Sequence, residues 1–131
     1  MKGSFELKEI FNVKPSIIYN AWLYSEEHSK MTGGEASCGD KIGDKFSAWD
    51  GYIQGRNLKL ISNQEIVQSW RTSEFTDNDE DSKLIIRFKE IESGTALTLI
   101  HSNIPEGQTQ YKQGWIDHYF IPMKQYFENK K

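Results

Sequence analysis

The last quarter of the chain constrains the fold most. Gly114-Trp115-Ile116-Asp117-His118-Tyr119-Phe120-Ile121-Pro122-Met123-Lys124-Gln125-Tyr126-Phe127 is one aromatic-rich segment, and it follows a stretch from Asp40 to Pro105 that reads as short strands. Wound as a helix at ~100° per residue, Tyr111, Trp115, Tyr119, Pro122, Met123 and Tyr126 share one broad face, with Gln113, Asp117, Lys124 and Glu128 opposite. A helix with its bulkiest rings on one side needs a large apolar surface to lie on. The strands before it supply a sheet, and the space between helix and sheet is where a ligand would sit.

The rest of the chain supports that layout. Phe5, Leu7, Phe11 and Val13 share one parity against Glu6, Lys8 and Asn12, which is the pattern of a half-buried strand. Pro15 can open a helix because its missing N–H costs nothing in the first turn, and Ile17, Ile18, Ala21 and Trp22 follow at helical spacing. Ser25, with Glu26 and Glu27 behind it, marks a capped second helix that ends at Gly33-Gly34. Gly39-Asp40, Gly43-Asp44 and Ser93-Gly94-Thr95 then punctuate a meander. Asp50-Gly51 after Phe46-Ser47-Ala48-Trp49 predicts a two-residue type I′ hairpin, and Gly55 predicts a bulge or a close backbone approach. Residues 65–75 and 82–91 form a pair around an acidic loop, and Pro105 ends the last strand. The long helix is expected from Gln108 or Thr109, with a kink at Pro122, whose ring clashes with the His118 carbonyl. The order predicts an α+β fold: one domain over all 131 residues, with an antiparallel sheet packed on a C-terminal helix.

Several functions are excluded by what the chain lacks. Net charge is −3 and no stripe of Lys and Arg appears, so nucleic acid is not an expected partner. The lone Cys38 cannot form an intramolecular disulfide, which fits a cytoplasmic location. The first residues carry no apolar signal segment, and no run reaches the ~18 apolar residues of a membrane span. Asp77-Asn78-Asp79-Glu80-Asp81 mimics the opening of a calcium loop, but Ser82 stands where Gly is required and Phe88 where the bidentate Glu belongs. A solvated hairpin tip accounts for it. His28, His101 and His118 fall on different elements without metal-ligand spacing. No nucleophile elbow, phosphate loop or dinucleotide fingerprint is present, so no catalytic residue and no cofactor is assigned.

Aromatic residues make up 13% of the chain against 37% hydrophobic in all, so a few large rings build the core. Strand parity points Ile66, Gln68 and Trp70, then Leu84, Ile86 and Phe88, then Leu97, Leu99 and His101 toward the helix. The polar Glu9, Gln68 and His101 interrupt these inner faces, and each must be paired, hydrated or neutral there. The candidate ligand site is therefore walled by Trp70, Phe88, Trp115, Tyr119 and Met123, with Gln68 and His101 as orienting groups. For Trp49, Trp70 and Trp115, core packing and direct ligand contact both remain open.

One family shows this arrangement. Pro15…Trp22 after a first strand, Asp50-Gly51…Gly55, Ile66-Val67…Trp70, Gly94-Thr95, and above all Ile104-Pro105…Gly114-Trp115…Tyr119-Phe120…Lys124…Phe127 resemble the activator of heat-shock protein 90 ATPase family, from about Phe5 to Phe127. The resemblance implies the START-like helix-grip fold of the SRPBCC superfamily, with a curved antiparallel sheet of about seven strands and two short helices after the first strand. Members of that superfamily bind lipids, sterols, hormones or polyketides between helix and sheet, and some are cyclases. Eukaryotic chaperone activators carry the domain as the C-terminal half of a longer protein, so this chain is expected to give weak or no ATPase stimulation. In the implied topology the first and last strands are neighbours, which sets Glu9 and His101 face to face as a polar anchor pair. The function expected is non-catalytic binding of a small apolar or amphipathic molecule. The alternatives are a co-factor of the heat-shock protein 90 chaperone, and a cyclase, lyase or hydrolase using the cavity's polar groups.

Overall fold

The computed structural model describes residues 2–128. Strand β1 (Gly3–Phe11) leads into two short helices, α1 (Pro15–Leu23) and α2 (Ser25–Thr32). Five strands follow in succession: β2 (Lys45–Ala48), β3 (Ile53–Ile61), β4 (Glu65–Thr72), β5 (Ser82–Ile91) and β6 (Gly94–Ile104). A C-terminal helix closes the chain in three parts, α3 (Tyr111–Trp115), a π-helical turn (Ile116–Phe120) and α4 (Ile121–Glu128).

The sheet is antiparallel, in the order β1-β6-β5-β4-β3-β2. Its alternation is that of a sheet with one buried face: Ile66, Leu84, Ile86, Leu97 and Leu99 are closed to solvent while Lys83, Arg87 and Lys89 point out. The C-terminal helix lies on the buried face, where Trp115 meets Trp70 and His101, and Phe120 and Phe127 meet Phe11 edge-on. Helix α1 covers the rest through Tyr19 against Phe88 and Trp22 against Trp115.

Six strands form among the described residues rather than about seven. Where a further strand would pair with β2, there is a single bridge between Ser37 and Ser47. That segment carries Gly33, Gly34, Gly39 and Gly43, and glycine weakens strands because it has maximal backbone freedom and no side chain to pack. Gly55 is a close approach: a Cβ there would lie 1.9 Å from the Ser69 carbonyl oxygen, and the bulge falls further along, between Asn57 and Lys59. Ser25 does not cap its own helix, because Tyr24 holds the N-cap position. Its hydroxyl instead accepts the Cys38 N–H at 2.8 Å and ties down the loop after α2.

Two further departures shape the site. The β2–β3 connection spans residues 49–52 and is not a two-residue hairpin. Trp49, Asp50 and Gly51 all have positive φ, at 52°, 59° and 91°. The C-terminal helix begins at Tyr111, and the irregularity expected at Pro122 takes the form of the π turn just before it. There the Ile121 N–H donates to the Ile116 carbonyl, five residues back, which inserts one residue into the helix. The buried stripe therefore runs Tyr111, Trp115, Tyr119 and then steps to Phe120, Met123 and Phe127. Pro122 and Tyr126, expected on that face, are only half-buried.

Candidate functional site

Most of the space between helix and sheet is filled by rings whose polar atoms are tied together. The Trp115 indole N–H donates to His101 Nδ1 at 3.0 Å, so the proton of the neutral imidazole sits on Nε2, which lies 2.7 Å from Ser82 Oγ. Ser82 in turn donates to the Trp70 carbonyl at 2.8 Å. Burial without a compensating anion lowers the His101 pKa to about 3. A second chain runs alongside. His28 Nδ1 donates to the Trp22 carbonyl at 2.9 Å, and its Nε2 accepts the Tyr119 hydroxyl at 3.0 Å. Burial lowers the His28 pKa to about 4 and raises that of Tyr119. The Trp22 N–H reaches Gln68 Oε1 at 3.3 Å, Gln68 Nε2 donates to Asn57 Oδ1 at 2.8 Å, and Asn57 Nδ2 donates to the Gly39 and Lys41 carbonyls. Each of these groups would be costly to bury alone, and paired they fix strand and helix positions.

The space left open lies at one end of this packing, where the β2–β3 turn faces α3 and the π turn. It is an overwhelmingly apolar pocket of about 250 Å³. The sheet side is formed by Trp49, Tyr52, Ile53 and Trp70, and the helix side by Tyr111, Gly114, Trp115, His118 and Tyr119. Gly114 contributes room: a Cβ built there meets nothing within 4 Å. Trp49 and His118 meet edge-to-face across it, with ring centroids 5.6 Å apart. The turn that holds Trp49 is pinned on both flanks, since the Asp50 N–H donates to the Glu35 carbonyl at 3.0 Å and the Ser73 N–H to the Tyr52 carbonyl at 3.0 Å. Behind the Trp49 ring lies Gly34, where a Cβ would come within 2.4 Å of Cε3. Trp49 Nε1 is sealed from solvent and has no hydrogen-bond partner, alone among the buried side-chain polar atoms of the described residues.

Of the lining expected from sequence, Trp70, Trp115 and Tyr119 border this pocket. Gln68, Phe88, His101 and Met123 are buried elsewhere in the interior and are not part of its wall. Glu9 and His101 are not brought together. Glu9 stands opposite Leu97 and His101 opposite Phe5, four residues earlier on β1. The Glu9 carboxylate reaches Lys124 of α4 instead, at 3.2 Å, and Phe5 meets the His101 ring edge-on. For Trp49 the sequence leaves core packing and ligand contact open, and the one trace of its position is the Asp50-Gly51 turn signature that follows it. Tyr52, Ile53, Tyr111, Gly114 and His118 were missed: Tyr111 reads only as part of the apolar helix face, and His118 lies beside Asp117 on what reads as the polar side of the helix. No group of three or more His, Cys, Asp or Glu side chains among the described residues could hold a metal ion. Burial also raises the Cys38 thiol to about 11, which keeps it protonated and unreactive at neutral pH. No helix among the described residues is long and apolar enough to cross a membrane.

The same arrangement recurs in known proteins. The crystal structure of an HSP90 activator from Plasmodium falciparum superposes with a TM-score of 0.86 and 27% identity, over 94% of each chain. An activator of 90 kDa heat shock protein ATPase homolog from Dictyostelium discoideum is 26% identical over 86% of this chain, and an uncharacterized protein of Schizosaccharomyces pombe is 34% identical over 63% of it. The matched regions cover 30% and 24% of those two proteins, so the chain spans about a quarter to a third of the curated relatives it matches. The family model described as Activator of Hsp90 ATPase homolog 1-like protein matches residues 12–128, the whole layout from the end of β1 to the end of α4. The chain belongs to that family.

Proposed function

We propose that this chain is a non-catalytic co-factor of a heat-shock protein 90 chaperone in the cytosol. The observation that carries this reading is the likeness to the Plasmodium falciparum HSP90 activator, which runs through 94% of both chains in sequence and in fold. The interior supports the non-catalytic part: His28 and His101 are neutral, and both ring nitrogens of each are engaged. Titrating the purified chain into the chaperone by calorimetry, with ATP turnover followed in parallel, tests the proposal. A saturable complex is expected. Absence of any complex at tens of micromolar of each protein would overturn it, whatever the effect on turnover.

The pocket favours a second reading, in which the domain also holds a small apolar or amphipathic molecule. Its walls are rings and aliphatic groups on rigid elements, and its volume of about 250 Å³ lies just below the usual range for ligand sites. Native mass spectrometry of freshly purified protein is the direct check. A co-purifying small molecule that displaces a bound apolar dye supports the reading, and failure of every apolar probe to bind counts against it.

A further inference from the structure

The pocket's chemistry narrows what could occupy it, and this inference rests on the second reading above. Three independent features converge on Trp49. Its backbone, like that of Asp50, sits in the left-handed region at φ 52° without being glycine. Such conformations are strained for a residue with a side chain, persist only where the surroundings enforce them, and cluster at functional sites. The enforcing contacts are present, in the hydrogen bonds at Asp50 and Tyr52 and the bare backbone of Gly34 behind the ring. Across the pocket, the π turn brings His118 onto the Trp49 face, and π turns inside α-helices recur at functional sites. The indole N–H is also left without an acceptor, whereas the N–H groups of Trp22 and Trp115 both have one. Among the described residues every other buried side-chain polar atom is satisfied, and one donor is left unspent on a residue of the apolar pocket's wall.

We propose that the pocket takes a compact, neutral, flat molecule of one or two rings bearing a hydrogen-bond acceptor oxygen, and that Trp49 selects it by donating its indole N–H to that oxygen. Size follows from volume: a cavity of about 150 Å³ accommodates benzene, so about 250 Å³ suits one or two rings. Neutrality follows from the walls, which carry no carboxylate, lysine or arginine to compensate a buried ion, while the one imidazole among them, His118, is engaged edge-to-face with Trp49. The acceptor follows from the donor. Because Nε1 is closed to solvent, the indole must turn about its side-chain bonds to present it. Only a ligand with a hydrogen-bond acceptor, such as a carbonyl oxygen, rewards that turn, and this differential interaction is what makes the residue selective.

The test uses two probes of nearly the same shape, acetylnaphthalene with a carbonyl oxygen and ethylnaphthalene without one. Binding is followed through the indole N–H resonances of the four tryptophans, with Trp49 assigned by Trp49→Phe. In the wild-type chain acetylnaphthalene is expected to bind about tenfold more tightly and to move the Trp49 indole resonance downfield, as one hydrogen bond to a buried donor should. In Trp49→Phe both probes are expected to bind with equal, weaker affinity. Equal binding of the two probes to the wild-type chain overturns the role of Trp49 while leaving the pocket reading intact. A preference for the ketone that survives in Trp49→Phe also overturns it. Failure of both probes to bind the wild-type chain sinks the pocket reading and this proposal together. The wild-type comparison decides the matter even if the variant folds poorly.

Discussion

The middle and the open end of the helix–sheet interface are built from the same residue types and are finished differently. In the middle, Trp22, Trp115, His28 and His101 are packed ring on ring, and each polar atom has a named partner. At the open end, Trp49 stands on a strained turn, its N–H is unpaired, and the rings around it leave a pocket. Aromatic content alone therefore says little about role. Satisfaction of the polar atoms separates a tryptophan that holds the fold from one that is free to act on something else. A buried donor left unpaired costs about 1–3 kcal/mol, which is a substantial part of a small domain's net stability.

The sharpest break of this contrast is truncation at each end. Trp115→Ala removes a ring that is 2% exposed and strands His101 Nδ1 without its donor. A loss of about 3–5 kcal/mol is expected, read as a lower urea midpoint, together with loss of probe binding. Trp49→Ala removes a half-buried ring with no hydrogen bond to lose, and its loss should be well under half as large. Equal losses at the two sites would erase the distinction.

Acid should attack the middle. Both inner histidines have folded pKa values below the ordinary 6.5, about 4 for His28 and about 3 for His101. Between 6.5 and those values the unfolded chain binds protons that the folded chain refuses. Stability is thus complete above pH 6.5 and falls as pH drops through the window, by about 2 kcal/mol per histidine between pH 7 and 5. Urea midpoints at the two pH values check this. His28→Gln or His101→Gln should each be less stable at pH 7 but flatten the pH dependence, and an unchanged slope in both would refute the assignment.

A milder exchange compares the two indole N–H groups directly. Trp115→Phe leaves His101 Nδ1 unsatisfied and should cost about 1–3 kcal/mol, while Trp49→Phe relieves an unpaired donor but gives up the packing of the larger ring, and the two effects should cancel to within about 0.5 kcal/mol of wild type. Thermal or urea unfolding of the pair suffices. A larger loss from Trp49→Phe would mean that its N–H is already in use.

Much of this architecture was readable from residue patterns, and the failures have specific causes. Period-two alternation assigned Ile66, Gln68 and Trp70, and their counterparts on β5 and β6, to the buried face, because one face of the sheet is covered. Parity says which face a residue takes and nothing about its place along the strand. So Glu9 was set against His101, although the register puts it opposite Leu97 and within reach of Lys124. Asp50-Gly51 was readable as a turn, but not its length, so the strained backbone of Trp49 was invisible. The inserted residue of the π turn left only Pro122 as its trace, and a regular helical projection therefore put Tyr126 on the buried face where Phe127 stands. The inner site residues follow from periodicity. The rim follows from backbone irregularities, which local composition hints at without locating.

A small gain in stability tests whether the rim is open by construction. Gly114 sits inside α3, its N–H bonded to the Gln110 carbonyl at 3.0 Å, where glycine is a poor helix former. Nothing lies within 4 Å of the position a Cβ would take, so no packing demand explains the residue, and the vacant volume belongs to the pocket wall. Gly114→Ala should therefore stabilise the chain by about 0.5–1 kcal/mol through helix propensity alone, seen as a small rise in urea midpoint, with naphthalene probes still bound. Gly114→Leu should keep most of that gain while its side chain occupies the pocket, so that probe binding is lost from a chain that remains folded. A folded leucine variant that binds the probes as the wild-type chain does would show that they sit elsewhere, and the open end would lose its claim to be a site.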